Sequence, residues 1–203
     1  MPTDLPGLIL AGGLARRMGG GDKSLLPLGG RPVLTRVIER LRPQVSRIVL
    51  NANGDPARFA GYGLPVLPDP LPDYPGPLAG VLAGLDWAAG QGAEAIVTVA
   101  ADTPFFPRDL VARLRAAGAP LALAATPDAE RVQIRHPTFG LWPVALRDDL
   151  RAALEGGLRK IVLWTDQHGA ATVEFGVQPF DPFFNLNTPQ DMLLAEDIIR
   201  AQD

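Results

Sequence analysis

The stretch Leu8-Ile9-Leu10-Ala11-Gly12-Gly13-Leu14-Ala15-Arg16-Arg17-Met18-Gly19-Gly20-Gly21-Asp22-Lys23 decides the fold class of this 203-residue chain. An apolar run of strand length stops at glycine, and the loop that follows combines glycines with Arg16, Arg17 and Lys23. Glycines let backbone N–H groups turn toward an anion and let the chain approach it closely. Arginine clamps phosphate through two parallel hydrogen bonds, and lysine acts as a compact charge. Two common glycine motifs do not fit. A P-loop needs glycine immediately before its lysine, where Asp22 stands, and a dinucleotide fingerprint starts G-x-G, whereas Gly12 is followed by Gly13 and Leu14. The loop leaves the carboxyl end of a strand, where open α/β sheets bind ligands. Phosphate binding is therefore expected here, from chemistry rather than from a named motif.

Outward from this loop, strand-length apolar runs alternate with helical patterns. Residues 8–10, 47–50, 65–67, 95–100 and 121–125 read as strands. Between them, 32–41, 56–60, 78–89 and 107–117 read as helices. Leu34, Val37, Ile38 and Leu41 form one stripe at i, i+3, i+4 and i+7, and Leu78, Val81, Leu82 and Leu85 form another. Gly80 and Gly84 sit one turn apart in the third helix. Glycine is a poor helix former, so the pair predicts a close approach by a strand or ligand. The run 95–100 is nearly all apolar, as a strand buried on both faces must be. Strand–helix repetition implies a parallel sheet with right-handed crossovers. The second half is less regular, with strands expected at 138–142, 172–175 and 183–185 and helices at 146–155 and 159–167. Thr188 caps a final helix that has Pro189 at its first position and Asp191 at its third. The expected fold is a three-layer α/β/α sandwich with a mostly parallel central sheet, in one domain spanning 1–203.

The totals remove several function classes. Hydrophobic residues make up 47% and charged residues 20%, enough apolar material for a core. A net charge of −3 argues against nucleic acid, whose partners present a basic face. There is no cysteine, so disulfides, thiolate metal sites and a cysteine nucleophile are excluded. No apolar run approaches the roughly 20 residues of a membrane span, and the N-terminus has no signal-peptide pattern. A cytoplasmic protein with no membrane partner is expected.

Several residues carry candidate chemistry. Asp102, just past the strand 95–100, is placed to hold Mg²⁺ while phosphates supply further ligands; the plain alternative is a turn aspartate before Pro104. Asn51 ends a strand with an amide that both donates and accepts, as base recognition needs, and asparagine there is as often a turn former. Asp69 lies in the irregular stretch 68–77. The run 73–80, stiffened by proline and opened by Gly76, leads to a helix N-terminus that offers N–H groups to an anion. His136 and His168 are too far apart in sequence to suggest a metal pair, and His136 reads as a pocket or structural residue rather than a base. Asn185 and Asn187 face an active site or form a cap. Arg159 and Lys160 meet an anionic substrate or solvent.

The run Leu10-Ala-Gly-Gly…Arg17-Met-Gly…Asp22-Lys23 resembles the signature of the MobA family, molybdenum cofactor guanylyltransferases with a Rossmann-like nucleotidyltransferase fold. The resemblance extends through Asn51-Ala52-Asn53, Asp73-Tyr-Pro-Gly-Pro-Leu-Ala-Gly80, Ala101-Asp-Thr-Pro104, His136-Pro-Thr138 and Asn185-Leu-Asn-Thr-Pro189. It implies transfer of GMP from GTP to the molybdenum–molybdopterin cofactor, with Mg²⁺ at Asp102 and pyrophosphate as leaving group. It implies an N-terminal half that binds nucleotide and a C-terminal half that binds the acceptor, and it assigns Leu10, Ala11, Gly12, Gly13, Lys23, Asn51, Asp69 and Asp102 to the nucleotide, and the pterin substrate to the region of 73–80. Arg17 and Lys23 would stabilise charge on the β- and γ-phosphates, and proteins that deliver or receive the cofactor are possible partners. The acceptor is already an anionic phosphate, so no strong general base is required. A CTP- or sugar-1-phosphate-using enzyme of the same fold stays open, as does a nucleotide- or cofactor-binding module without turnover. Cytidylyl relatives favour Ala-Ala-Gly where this chain has Ala11-Gly12-Gly13, which tilts the choice to guanine, and Lys23 with Asp102 favours turnover.

Overall fold

The computed structural model describes residues 4–12, 22–71, 76–130, 132–158 and 160–201. In the first strand, β1 (Gly7–Leu10), Ile9 points into one apolar cluster and Leu8 into the other. The same alternation runs through Leu50 and Val49 of the strand Ile48–Asn51, and through Val97 and Ile96 of the strand Ala95–Ala100. Alternate residues of a strand face opposite sides, so strands apolar throughout must be covered on both faces. Each such side chain, taken fully out of water, contributes roughly 1.5–3 kcal/mol before entropy is counted.

The elements in chain order are β1, a two-stranded ribbon of β2 (Pro27–Leu28) and β3 (Arg31–Pro32), α1 (Val33–Leu41), β4 (Ile48–Asn51), β5 (Val66–Leu67), α2 (Pro77–Gly90) and β6 (Ala95–Ala100). Then come α3 (Leu110–Ala116), β7 (Ala122–Asp128), β8 (Val132–Pro143), α4 (Arg147–Glu155), α5 (Ile161–Gln167), β9 (Ala171–Glu174) and α6 (Pro189–Arg200). Seven strands form the main sheet in the order β5-β4-β1-β6-β8-β7-β9. β5, β4, β1 and β6 pair in parallel, β8 runs antiparallel to both its neighbours, and β9 is parallel to β7. Helices α1 and α3 pack on one face with Ala195 of α6, and α2, α4 and α5 on the other. The expected three-layer sandwich with a mostly parallel sheet is observed.

Two packing details follow from sequence. The glycines of α2 do mark a close approach. A Cβ at Gly84 would lie 2.6 Å from Leu8 Cδ2, and one at Gly80 would lie 2.7 Å from Leu10 Cδ2 and collide with the Asn51 amide. At the start of α6, Thr188 accepts from the Asp191 amide while Asp191 accepts from the Thr188 amide, a complete capping box.

The second half departs from expectation in two places. Residues 138–142 are only the end of a longer strand, since β8 spans Val132–Pro143 and forms a hairpin with β7. Residues 183–185 are not a strand. The Phe183 and Phe184 amides turn back onto Asp181 at 2.8 and 3.2 Å. Phe183 is apolar because it fills an aromatic cluster with Phe139, Phe175 and His136, not because it joins a ladder. The ribbon β2–β3 had no signal beyond Gly29 and Gly30, both left-handed at its turn.

Candidate functional site

Register sets the floor of the site. Leu10 is the pairing partner of Asn51 on one side and Ala100 on the other. The ladder continues past the strand ends, with the Ala11 amide on Asn51 O at 2.8 Å and the Ala101 amide on Leu10 O at 3.0 Å. The chain runs outward from β1 to β4 and β5, then returns to the opposite side of β1 as β6. The direction of winding reverses between β1 and β6, and such a switch point leaves a crevice at the carboxyl ends of the strands.

A cleft of about 680 Å³ lies there, large enough for a nucleotide. It is lined by Leu10, Ala11, Gly12, Lys23, Asn51, Asp69 and Asp102, together with Asp22, Ser24, Asn53, Arg58, Gly76 and Thr138. Every described candidate for nucleotide contact therefore meets in one place. Gly13, Arg16, Arg17, residues 72–75 and Arg159 lie outside the described residues. Lys160 is exposed at the start of α5 and does not line the cleft.

One end of the cleft is built around Asp69. Asn51 is buried, and its amide nitrogen donates to Leu67 O at 3.2 Å and to Asp69 Oδ1 at 2.9 Å. Asn53 donates to Asp69 Oδ2 at 2.7 Å and accepts from the Asp69 amide at 2.8 Å. Asn51 therefore spends its donors inside the protein rather than offering them to a base. The two asparagines stand two residues apart at a strand end and fix the carboxylate of Asp69, which keeps lone pairs for donors on a ligand.

The other end is built around Asp102 and Lys23. Burial pushes the Asp102 carboxyl above its ordinary value, against the opposing pull of the Lys23 charge and the Thr103 hydroxyl. Thr103 also bonds to Asn185 Oδ1. The Leu186 amide donates to Asp102 O at 2.9 Å, and Lys23 Nζ donates to Asn187 Oδ1 at 2.8 Å. The segment ahead of α6 thus contacts both charged residues. Among the described residues there is no group of three or more His, Asp or Glu side chains able to cage a metal. A single half-buried carboxylate suits a hard divalent ion that takes its other ligands from phosphate and water, so the donor set fits Mg²⁺.

Both histidines are structural. His136 stacks on Phe183 and bonds to Thr126 Oγ1 at 2.9 Å, and burial holds it below its ordinary value, against the pull of Asp181. His168 sits against Trp164 and bonds to Asp149 at 2.8 Å. The sequence motifs include Asp22 and Asn53 without giving either a role in the site, and Arg58 stands outside them. The repeat Asn51-Ala-Asn53 could have signalled Asn53.

Residues 7–170 match the family model described as the MobA-like NTP transferase domain. The chain belongs to this family. Among relatives of this MobA-like chain, the molybdenum cofactor guanylyltransferase of Bradyrhizobium sp. (strain ORS 278) is 54% identical over 99% of this chain and 96% of its own length. The protein of the same name from Cereibacter sphaeroides is 54% identical over 96% of each. The fold is shared with molybdopterin-guanine dinucleotide biosynthesis protein A from Archaeoglobus fulgidus (TM-score 0.72, 24% identity, 97% of this chain and 100% of that one). It is shared equally with 2-C-methyl-D-erythritol 4-phosphate cytidylyltransferase from Thermus thermophilus (TM-score 0.72, 22% identity, 98% and 100%). The MobA-like fold alone therefore does not choose the nucleotide.

Proposed function

We propose that this chain transfers GMP from GTP to the molybdenum–molybdopterin cofactor, forming molybdopterin guanine dinucleotide and pyrophosphate. The observation that carries this is full-length similarity, at 54% identity, to relatives named molybdenum cofactor guanylyltransferase. The cleft at the β1/β6 switch point supports it, because its residues divide the work such a transfer needs.

The chain's contribution is positioning and charge neutralisation. The backbone of Leu10, Ala11, Gly12 and Gly13 lies against the nucleotide, and Asp69, held by Asn51 and Asn53, accepts from its base-side donors. Lys23 moves from Asn187 onto phosphate oxygens, joined by Arg17, as negative charge builds on the leaving pyrophosphate. Asp102 would hold Mg²⁺, which when bound supplies charge neutralisation at the phosphates. A phosphate oxygen of the pterin attacks the α-phosphorus, the bond to the β-phosphate oxygen breaks, and pyrophosphate carries the charge away. No proton has to leave the attacking group, which agrees with histidines held in structural roles. The whole chain acts as one domain in the cytoplasm. Its lack of cysteine suits that compartment, and no helix among the described residues is long and apolar enough to cross a membrane. Proteins that deliver or receive the cofactor complete the proposal.

The test is pyrophosphate release in Mg²⁺ with molybdenum-loaded molybdopterin. Release with GTP and not CTP is expected. Release with CTP alone, or tight GTP binding without release, overturns the assignment.

A further inference from the structure

Arg58 sits on a short 3₁₀ segment, Pro56–Tyr62, that follows β4 and flanks the cleft. Both terminal nitrogens of its guanidinium donate to main-chain oxygens. Nη1 donates to Asp55 O and Nη2 to Asn53 O, each at 2.6 Å. Nε lies 2.5 Å from Asp22 Oδ2, an ion-pair contact made without hydrogen-bond geometry, and the group lies over the Phe59 ring, 4.6 Å from its centroid. Phe59 is fully buried, so the platform is fixed.

Asp22 is the last residue before Lys23, and only 10% of its side chain is exposed. A buried carboxylate beside a site for a triphosphate is unfavourable. It repels the ligand, and the repulsion is strong where water is excluded. Lys23 does not neutralise it, since its ammonium turns to Asn187. Among the described residues, Arg58 is the one cation paired with Asp22. Each terminal nitrogen of Arg58 already gives one of its two N–H donors to a main-chain carbonyl of the β4 side, which fixes the plane of the guanidinium.

We infer that Arg58 is a positioning residue for the nucleotide, cancelling the charge of Asp22 and fastening the end of the glycine-rich loop to the wall that carries Asn53 and Asp69. The connection is continuous. Asn53 holds Asp69 with its side chain and Arg58 with its carbonyl, and Arg58 reaches Asp22, whose neighbour is Lys23. Loss of Arg58 leaves a buried anion facing phosphates and frees the loop end. The inference rests on the nucleotide site proposed above.

The experiment is calorimetric binding of Mg²⁺-GTP to the full chain, without acceptor, for wild type, Arg58→Ala and the double variant Asp22→Asn/Arg58→Ala. Arg58→Ala should weaken GTP about tenfold, as removal of one member of a partly buried ion pair does. The double variant should regain most of that loss, because the stranded charge is gone. Unchanged binding by Arg58→Ala overturns the inference. So does a double variant as weak as the single one, which would mean that Arg58 acts on the ligand directly. If Arg58→Ala does not fold, Arg58→Gln keeps the stem and a donor for Asn53 O and should give the same pattern. Failure of the wild type to bind GTP would refute the nucleotide assignment itself. GTP binding by wild type with no rescue refutes the role of Arg58 alone.

Discussion

The ammonium of Lys23 donates a 2.8 Å hydrogen bond to Oδ1 of Asn187, 164 residues further along the chain. Asn187 is itself fixed, because its amide donates to Asp191 Oδ2 at 2.8 Å inside the cap of α6. A C-terminal segment thereby parks the cation that ends the N-terminal loop.

Lys23→Met keeps the length of the side chain and removes its charge. Pyrophosphate release should fall roughly 100-fold, the size of effect seen when one preorganised charge-stabilising donor is lost. Steady-state rates at saturating GTP measure it, and a rate near wild type would remove Lys23 from the phosphates.

Asp102→Asn should abolish metal-dependent transfer and yet raise the melting temperature by up to about 3 °C. Burial raises the Asp102 carboxyl in the folded state. A group raised on folding gives its full stability below its unfolded value and loses it as pH rises through the folded value. At neutral pH the charged form therefore costs stability, and a neutral isostere relieves it. A lower melting temperature at pH 7.5, with no change at pH 4, would contradict this.

The pH profile should show the same group. Transfer needs the charged carboxylate, so its acid limb should lie above the ordinary aspartate value of 3.8. Raising Mg²⁺ should move that limb to lower pH, because cation and proton compete for one carboxylate. Rate measurements from pH 4 to 8 at two Mg²⁺ concentrations decide it, and a limb indifferent to Mg²⁺ would separate Asp102 from the metal.

Gly80→Ala should cost about 1–3 kcal/mol and weaken GTP binding together. Its Cβ would press on Leu10 and on the Asn51 amide that holds Asp69. Gly90→Ala, at the end of the same helix with nothing within 4 Å, should instead stabilise the protein by about 0.5 kcal/mol without touching binding. Urea unfolding and GTP titration of both variants test the contrast. Equal stability changes would show that α2 does not press on the strand ends.

Elements whose signals are local could be read from the residues alone. The apolar run at residues 8–10 ends in glycine, the stripes of α1 and α2 follow helical spacing, and Thr188 with Asp191 caps α6 through groups three residues apart. Even the close approach at Gly80 and Gly84 was legible, because two glycines in one helix are costly without a neighbour to admit. Where these pieces meet is a property of the folded chain. Placing β6 beside β1 brings Asp102 opposite Lys23, and the antiparallel entry of β8 is a matter of pairing, which no single strand encodes. Phe183 is apolar for an aromatic cluster assembled from distant elements, and its run mimics a strand. Asn51 resembles a base reader in sequence, but the fold spends its donors on Leu67 and Asp69. Arg58 gave no signal, because its partner Asp22 lies in another element. An ion pair between residues far apart in the chain leaves no periodicity to read, since only packing sets its distance and burial.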